Sequence, residues 1–269
     1  MMNKNVSIIG LGVVGQALCA NIHEDIESVT IFDDKPGYLL YEGESKEIDE
    51  SDVVFVCVDT PMREDGSQDS TNVEMVLKNL IEQDYRGLVI LKSTILYNRI
   101  KKYMYHLNLV ISPEFLRANT SVADFKSTNF LVLGGLAPYT REAEYVMKEF
   151  FRYSFDTDDM HIEHCTFQEA IDFKYTRNIH QAYNVLFWEM IQDITGNSRK
   201  MAEMLKYLPV GENSDIGQDG YRGYGQSFYK NETFSACLDK DLNAVAFNTQ
   251  HEVLKALDTY NKKLTQKII

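Results

Sequence analysis

Three glycines near the start of the chain carry the first chemistry, in the run Gly10-Leu11-Gly12-Val13-Val14-Gly15. The run follows the apolar Val6-Ser7-Ile8-Ile9, which reads as a buried strand, and precedes Gln16-Ala17-Leu18-Cys19-Ala20, which reads as a helix. In that setting Gly10 makes a tight turn and Gly12 lets backbone N–H groups approach a pyrophosphate. Gly15 lets the helix pack closely on the strand, with its positive end toward the phosphates. A second strand, Ser28-Val29-Thr30-Ile31-Phe32, delivers Asp33 about twenty residues later, where a carboxylate accepts both ribose hydroxyls. Gly10, Gly12, Val13, Val14, Gly15 and Asp33 therefore predict a dinucleotide site. The carboxylate repels a 2′-phosphate and so favours NAD, whereas Lys35 close behind leaves NADP open. The bland alternative is a packing turn without a ligand.

The elements that must position this site alternate. Asp52-Val53-Val54-Phe55-Val56-Cys57-Val58 is a continuous apolar run of the kind buried in a parallel sheet, and it closes on Asp59-Thr60-Pro61. A loop from Met62 to Thr71 carries the turn residues Asp65-Gly66-Ser67 and leads into a helix around Asn72 to Gln83. Further strands end in Lys92-Ser93-Thr94, in Ser112-Pro113-Glu114-Phe115-Leu116-Arg117 and in Gly134-Gly135. Strands alternating with helices specify an α/β fold, a Rossmann-like doubly wound parallel sheet with ligands outside the carboxyl ends of the strands. From Phe167 to about Ile194 the pattern becomes helical, with Ala170, Phe173, Lys174, Arg177, Asn178, Ala182, Val185, Leu186, Glu189 and Met190 spaced by three and four. The expected organisation is a dinucleotide-binding domain over 1–163 and a mostly helical domain with one long helix over 164–269. The surplus apolar faces of that helix predict a homodimer. The stretch 217–225, which includes Tyr224 and Gly225, reads as a flexible loop suited to closing on a ligand. A last helical segment is expected from Asp241 to about Lys262.

Composition narrows the function classes. A formal charge of −13 argues against a nucleic-acid surface and against anionic membranes, both of which need a basic patch. No apolar run is long enough to span a bilayer. Met1-Met2-Asn3-Lys4-Asn5 leads straight into the first strand, leaving no room for a signal peptide, which predicts a cytoplasmic protein. Cys19, Cys57, Cys165 and Cys237 are scattered without C-x-x-C pairs, so neither a metal site nor a disulfide framework is expected. Cys19 and Cys57 lie in apolar runs and read as small core residues.

The ordered set Gly10-x-Gly12-x-x-Gly15, Thr60-Pro61, Asp65-Gly66-Ser67, Ser93-Thr94, Pro113-Glu114-Phe115-Leu116-Arg117, Lys174-x-x-x-Asn178 and Cys237-x-x-Lys240-Asp241 resembles the UDP-glucose/GDP-mannose dehydrogenases. That resemblance implies oxidation of the C6 alcohol of a nucleotide sugar to a carboxylate, with two NAD used in succession and a cysteine thiol. It makes Cys237 the nucleophile, Lys174 and Asn178 the holders of the developing oxyanion, and Glu114, Thr94 and Asp241 the acid/base and water-positioning set, with Lys240 in the same cluster. Thr60, Pro61, Thr94 and Lys35 join the cofactor site, and Phe115, Leu116, Arg117, Lys174, Asn178, Tyr224 and Gly225 face the substrate. The chemistry suits these residue types. A thiolate adds to an aldehyde, a nearby ammonium lowers a thiol pKa, and one donor to a developing oxyanion is worth about 3 kcal/mol.

Each residue also has a plainer reading. Cys237 could be a buried small hydrophobe, Lys174 and Asn178 solvated helix residues, Glu114 a helix N-terminal charge and Thr94 a cap. The chain departs from the family in four places. Phe234-Ser235-Ala236 stands before Cys237 where two glycines are usual, and Asp239 lies inside the C-x-x-K-D run. Ala118 stands for a second glutamate and Phe130 for an arginine. The family's third domain, which helps hold the nucleotide, is expected to be absent after Ile269. Two other functions remain open: a two-electron alcohol or hydroxy-acid dehydrogenase with Lys174 as base, and a dinucleotide-binding protein without activity.

Overall fold

The computed structural model describes residues 5–22, 26, 28–34, 48, 50–151, 160–205 and 236–266. Lys35, Tyr224, Gly225 and the rest of the 217–225 loop lie outside them. By internal contacts the chain divides into two units, residues 1–61 with 69–174, and residues 62–68 with 175–269.

The first unit is built on a seven-stranded sheet among the described residues, in the order β2-β1-β3-β4-β5-β6-β7. The strands are β1 (Asn5–Ile9), β2 (Ser28–Phe32), β3 (Val53–Val56), β4 (Leu88–Leu91), β5 (Asn108–Ile111), β6 (Phe130–Gly135) and β7 (His161–Cys165). Helices α1 (Val13–Asn21), α2 (Thr71–Glu82), α3 (Tyr97–Ile100), α4 (Ser121–Lys126) and α5 (Ala137–Phe150) alternate with them. Every residue of β3 and β4 is buried, as continuous Val/Ile/Leu/Phe runs require of central parallel strands. Strands β1 to β5 are parallel, and β6 turns antiparallel to β5 before β7 resumes parallel pairing with β6. The expected parallel sheet is thus mixed on one side. Edge strand β7 is His-Ile-Glu-His-Cys, largely exposed, and has no apolar run to announce it.

Apolar side chains on one face of the sheet gather in a core, in which Val6, Ile8, Phe55, Ile90 and Val110 meet Leu18, Phe125, Val146 and Phe150 of the helices. Cys57 lies in this core as expected, and Cys19 packs against it. Burial pushes the Cys57 thiol well above its ordinary range and raises that of Cys19.

The long helix α6 runs from Phe167 to Thr195, matching its predicted span, and the boundary between the units falls inside it. In the second unit, Ala182, Val185 and Leu186 of α6 pack on Leu238 and Leu242 of α8 (Ala236–Thr249), with Leu254, Leu257 and Tyr260 of α9 (Glu252–Gln266) against them. A short helix α7 (Ser198–Leu205) lies between α6 and α8 in sequence. The single C-terminal helix expected from Asp241 to Lys262 is therefore two helices. Gln250 breaks it with φ +56°, a left-handed residue that no glycine or proline signals. No described helix is long and apolar enough to cross a membrane.

Candidate active site

The glycine run folds into a cradle whose three glycines do separate work. Gly10 has φ +96°, and a Cβ there would stand 2.7 Å from the Cys57 carbonyl carbon at the end of β3. Its N–H donates to the Phe32 carbonyl at 2.8 Å, tying the turn to β2. A Cβ on Gly15 would come 2.1 Å from the Gly10 oxygen, so α1 approaches the turn as closely as only glycine allows. At Gly12, the N-cap of α1, a Cβ would meet nothing within 4 Å. Close backbone packing accounts for Gly10 and Gly15; at Gly12 the space is open, as a group approaching the helix N-terminus requires. Asp33, just past β2, accepts the Leu11 N–H on its carboxylate and so holds that acid beside the turn. Val13 is exposed on the first turn of α1, and Val14 packs against the core. These residues fit a dinucleotide with its pyrophosphate at α1 and a ribose at Asp33.

The ends of the neighbouring strands carry polar groups side by side. Thr60 donates through its hydroxyl to the Thr94 carbonyl at 2.8 Å, and Ser93 donates to the Val58 carbonyl at 2.6 Å, which joins the loops after β3 and β4. Lys92, directly after β4, is 2% exposed and donates to the Ser112 hydroxyl, directly after β5, at 3.0 Å. The same ammonium is ion-paired with the Glu114 carboxylate, whose residue is 7% exposed. Lys174 on α6 donates to the Glu114 backbone carbonyl, and its ammonium lies 5.3 Å from the Phe115 ring centre. Phe115 packs edge-to-face on Phe173 and stacks on Phe130, the residue standing in the arginine position of the resemblance. Leu116 packs against the core. Arg117 is engaged elsewhere: its guanidinium pairs with Asp124 at 2.6 Å, and this hydrogen-bonded ion pair lowers the Asp124 carboxyl to about 2.

In the second unit a separate buried cluster forms around Asp241. Asn178 is 2% exposed and donates its amide N–H to the Asp241 carboxylate, which is 1% exposed. Lys240 places its ammonium 3.3 Å from the other Asp241 oxygen. Gln68 donates to the Tyr175 hydroxyl at 3.0 Å, and burial, with Asp241 nearby, pushes that phenol well above its usual range. Cys237 lies on the first turn of α8, one helical turn before Lys240 and Asp241. Its side chain is outside the described atoms. Among the described residues no group of His, Cys, Asp and Glu could hold a metal ion.

The structure thus brings Glu114 together with Lys174 in one unit, and Asn178 together with Asp241 and Lys240 in the other. Sequence reasoning passed over Lys92 as the end of a strand. Its signal was a charged residue continuing a fully apolar run, level with Ser112 on the adjoining strand.

A parallel sheet whose first strand ends in this glycine cradle, with an acid at the end of the second, defines a Rossmann-type dinucleotide-binding protein. Residues 38–154 match the NAD-binding domain of the UDP-glucose/GDP-mannose dehydrogenase family. An uncharacterized protein of Methanocaldococcus jannaschii is 25% identical over 98% of this chain, and the GDP-mannose 6-dehydrogenase of Pseudomonas aeruginosa is 27% identical over 97% of it. The fold is that of a UDP-glucose dehydrogenase from Pyrobaculum islandicum, with a TM-score of 0.69 and 18% identity over 99% of this chain and 68% of that one. Over residues 38–154 the protein thus resembles the NAD-binding domain of that family, a match that supports NAD as its cofactor. The chain spans 34% of the Methanocaldococcus relative and 69% of the Pseudomonas one.

Proposed function

We propose that the protein oxidises the C6 alcohol of a nucleotide sugar, a UDP-hexose first among them, to the carboxylate with two NAD per turnover. The observation that carries the reading is the buried Asn178–Asp241 pair with Lys240 against it, Lys240 and Asp241 lying one helical turn after Cys237. A buried amide and carboxylate are costly unless they are hydrogen-bonded to one another, and here that bond ties α8, the helix that bears the thiol, to α6. Bound NAD, held by Gly10, Gly12, Gly15 and Asp33, supplies the hydride acceptor for each oxidation. The first oxidation leaves an aldehyde, and the Cys237 thiolate adds to its carbon to form a thiohemiacetal. Loss of the second hydride turns that adduct into a thioester. Lys174 and Asn178 donate to the oxygen that gains charge in these steps. Glu114 takes a proton from the water that attacks the thioester, which releases the acid and returns the thiol. The protein acts as a homodimer joined through α6, whose Tyr183, Met190 and Ile194 are exposed.

The test is a panel of nucleotide sugars incubated with the full chain and NAD. Two NADH per sugar and an acid product are expected from the preferred substrate, with no acid from Cys237→Ser. One NADH per substrate, insensitive to thiol alkylation, would instead establish the two-electron dehydrogenase.

A further inference from the structure

Lys92 is the buried charge that this mechanism leaves without a task. Strands β4 and β5 run parallel in the register Leu91↔Ile111, so the next residues, Lys92 and Ser112, stand side by side where both strands end. Both are sealed, Lys92 at 2% and Ser112 at 0% exposure. The lysine is anchored twice, through its backbone N–H to the Val56 carbonyl at 2.9 Å and through its ammonium to Ser112 at 3.0 Å. Its remaining contact is the Glu114 carboxylate. Among the described residues no hydrogen bond reaches Glu114 Oε1, so the Lys92 ammonium is the group that offsets that buried oxygen. A buried charge is tolerated when it is paired, and an anchored partner also fixes its direction.

We infer that Lys92 is a positioning residue for Glu114: its ammonium sets the orientation of that carboxylate. The inference deepens the reading above, in which Glu114 is the base, and rests on it for its catalytic consequence. The groups around the Lys92–Glu114 pair come from four elements. Lys92 approaches from β4 and Ser112 from β5, Lys174 reaches the backbone carbonyl from α6, and the Cys57 thiol, which feels both Lys92 and Glu114, stands at the end of β3. Lys174 binds the backbone oxygen, which leaves the carboxylate itself to Lys92.

Two measurements on Lys92→Met test this, one of them independent of turnover. With carboxyl-labelled glutamate, the Glu114 resonance, identified by its loss in Glu114→Gln, is compared between the two proteins at neutral pH. It is expected to shift in Lys92→Met, and an unchanged resonance would overturn the inference. In turnover, a misdirected base is expected to lower kcat by roughly a hundredfold with little change in KM. Lys92→Met with Glu114→Gln is expected to be no slower than Glu114→Gln alone, whereas multiplied losses would show that Lys92 acts elsewhere. Should Lys92→Met not fold, Lys92→Gln, which keeps a donor to Ser112, takes its place in both measurements. A shifted resonance in a protein whose parent turns over no nucleotide sugar refutes the proposed activity and leaves the pairing role standing. An active parent with an unshifted resonance does the reverse.

Discussion

Replacing Gly12 and Gly15 separately by alanine distinguishes a ligand glycine from a packing glycine within one motif. At Gly15 the added Cβ would lie 2.1 Å from the Gly10 oxygen and 3.1 Å from its carbonyl carbon, and both are backbone atoms that no rotamer change can move. A carbon–oxygen contact settles near 3.3 to 3.6 Å, so α1 and the turn must separate by about 1 Å. Overpacking of this kind costs about 1–3 kcal/mol, and a backbone clash falls at the upper end. Alanine's better helix propensity returns about 1 kcal/mol, leaving a net loss of about 2 kcal/mol. With an m-value of about 2 kcal/mol/M, the urea midpoint of Gly15→Ala is expected to fall by about 1 M. At Gly12 the Cβ meets no protein atom within 4 Å, and the change at an N-cap costs less than about 1 kcal/mol. The methyl group instead occupies the approach of a phosphate to the helix N-terminus. Losing one charge-assisted hydrogen bond there weakens NAD binding roughly tenfold to a hundredfold. Urea unfolding followed by circular dichroism, alongside calorimetric titration with NAD, reads both quantities. Gly12→Ala binding NAD as tightly as the parent would refute the cradle. Gly15→Ala unfolding at the parent's urea concentration would refute the close packing of α1.

Other outcomes follow from groups already described. Asn178→Ala strips the Asp241 carboxylate of a buried donor and is expected to cost about 1–3 kcal/mol in urea unfolding. Asp124→Asn is expected to destabilise by about 1 kcal/mol at pH 7. The Asp124 carboxyl is lowered from 3.8 to about 2 by Arg117, so its contribution is complete above pH 4 and disappears as pH falls toward 2. Parent and variant should therefore converge in stability across that window. In timed alkylation at pH 8 with peptide mapping, Cys57 is expected to stay unmodified. Cys165 should react slowly, since burial, with Glu169 and Glu163 nearby, pushes its thiol up to about 11. The proposed nucleophile, Cys237, should react first, and fast labelling of Cys57 would contradict the burial described for it.

Local pattern alone was enough for β1 to β5, α2 and α6. Each is a run whose burial follows from side chains close in sequence: apolar residues without interruption in central strands, apolar residues every third or fourth position in the helix. The glycine cradle and Asp33 were legible for the same reason, since a tight turn, a helix start and an acid at a strand end are all set by neighbours. Elements stabilised from outside their own sequence were not legible. Strand β7 is polar and holds its place through pairing with β6, and the break at Gln250 lies in a segment with good helical spacing on either side. The candidate site divides along the same line. Glu114, Lys174, Asn178 and Asp241 were named from motif order, but their partners are separated from them by long stretches of chain. Only the folded structure decides that Asn178 meets Asp241, that Arg117 is occupied by Asp124, and that Lys92 rather than Lys174 neutralises the Glu114 carboxylate. The reason is geometric: sequence spacing reports which side chains share a strand or a helix face, while register between neighbouring strands determines which buried charges come within reach of one another.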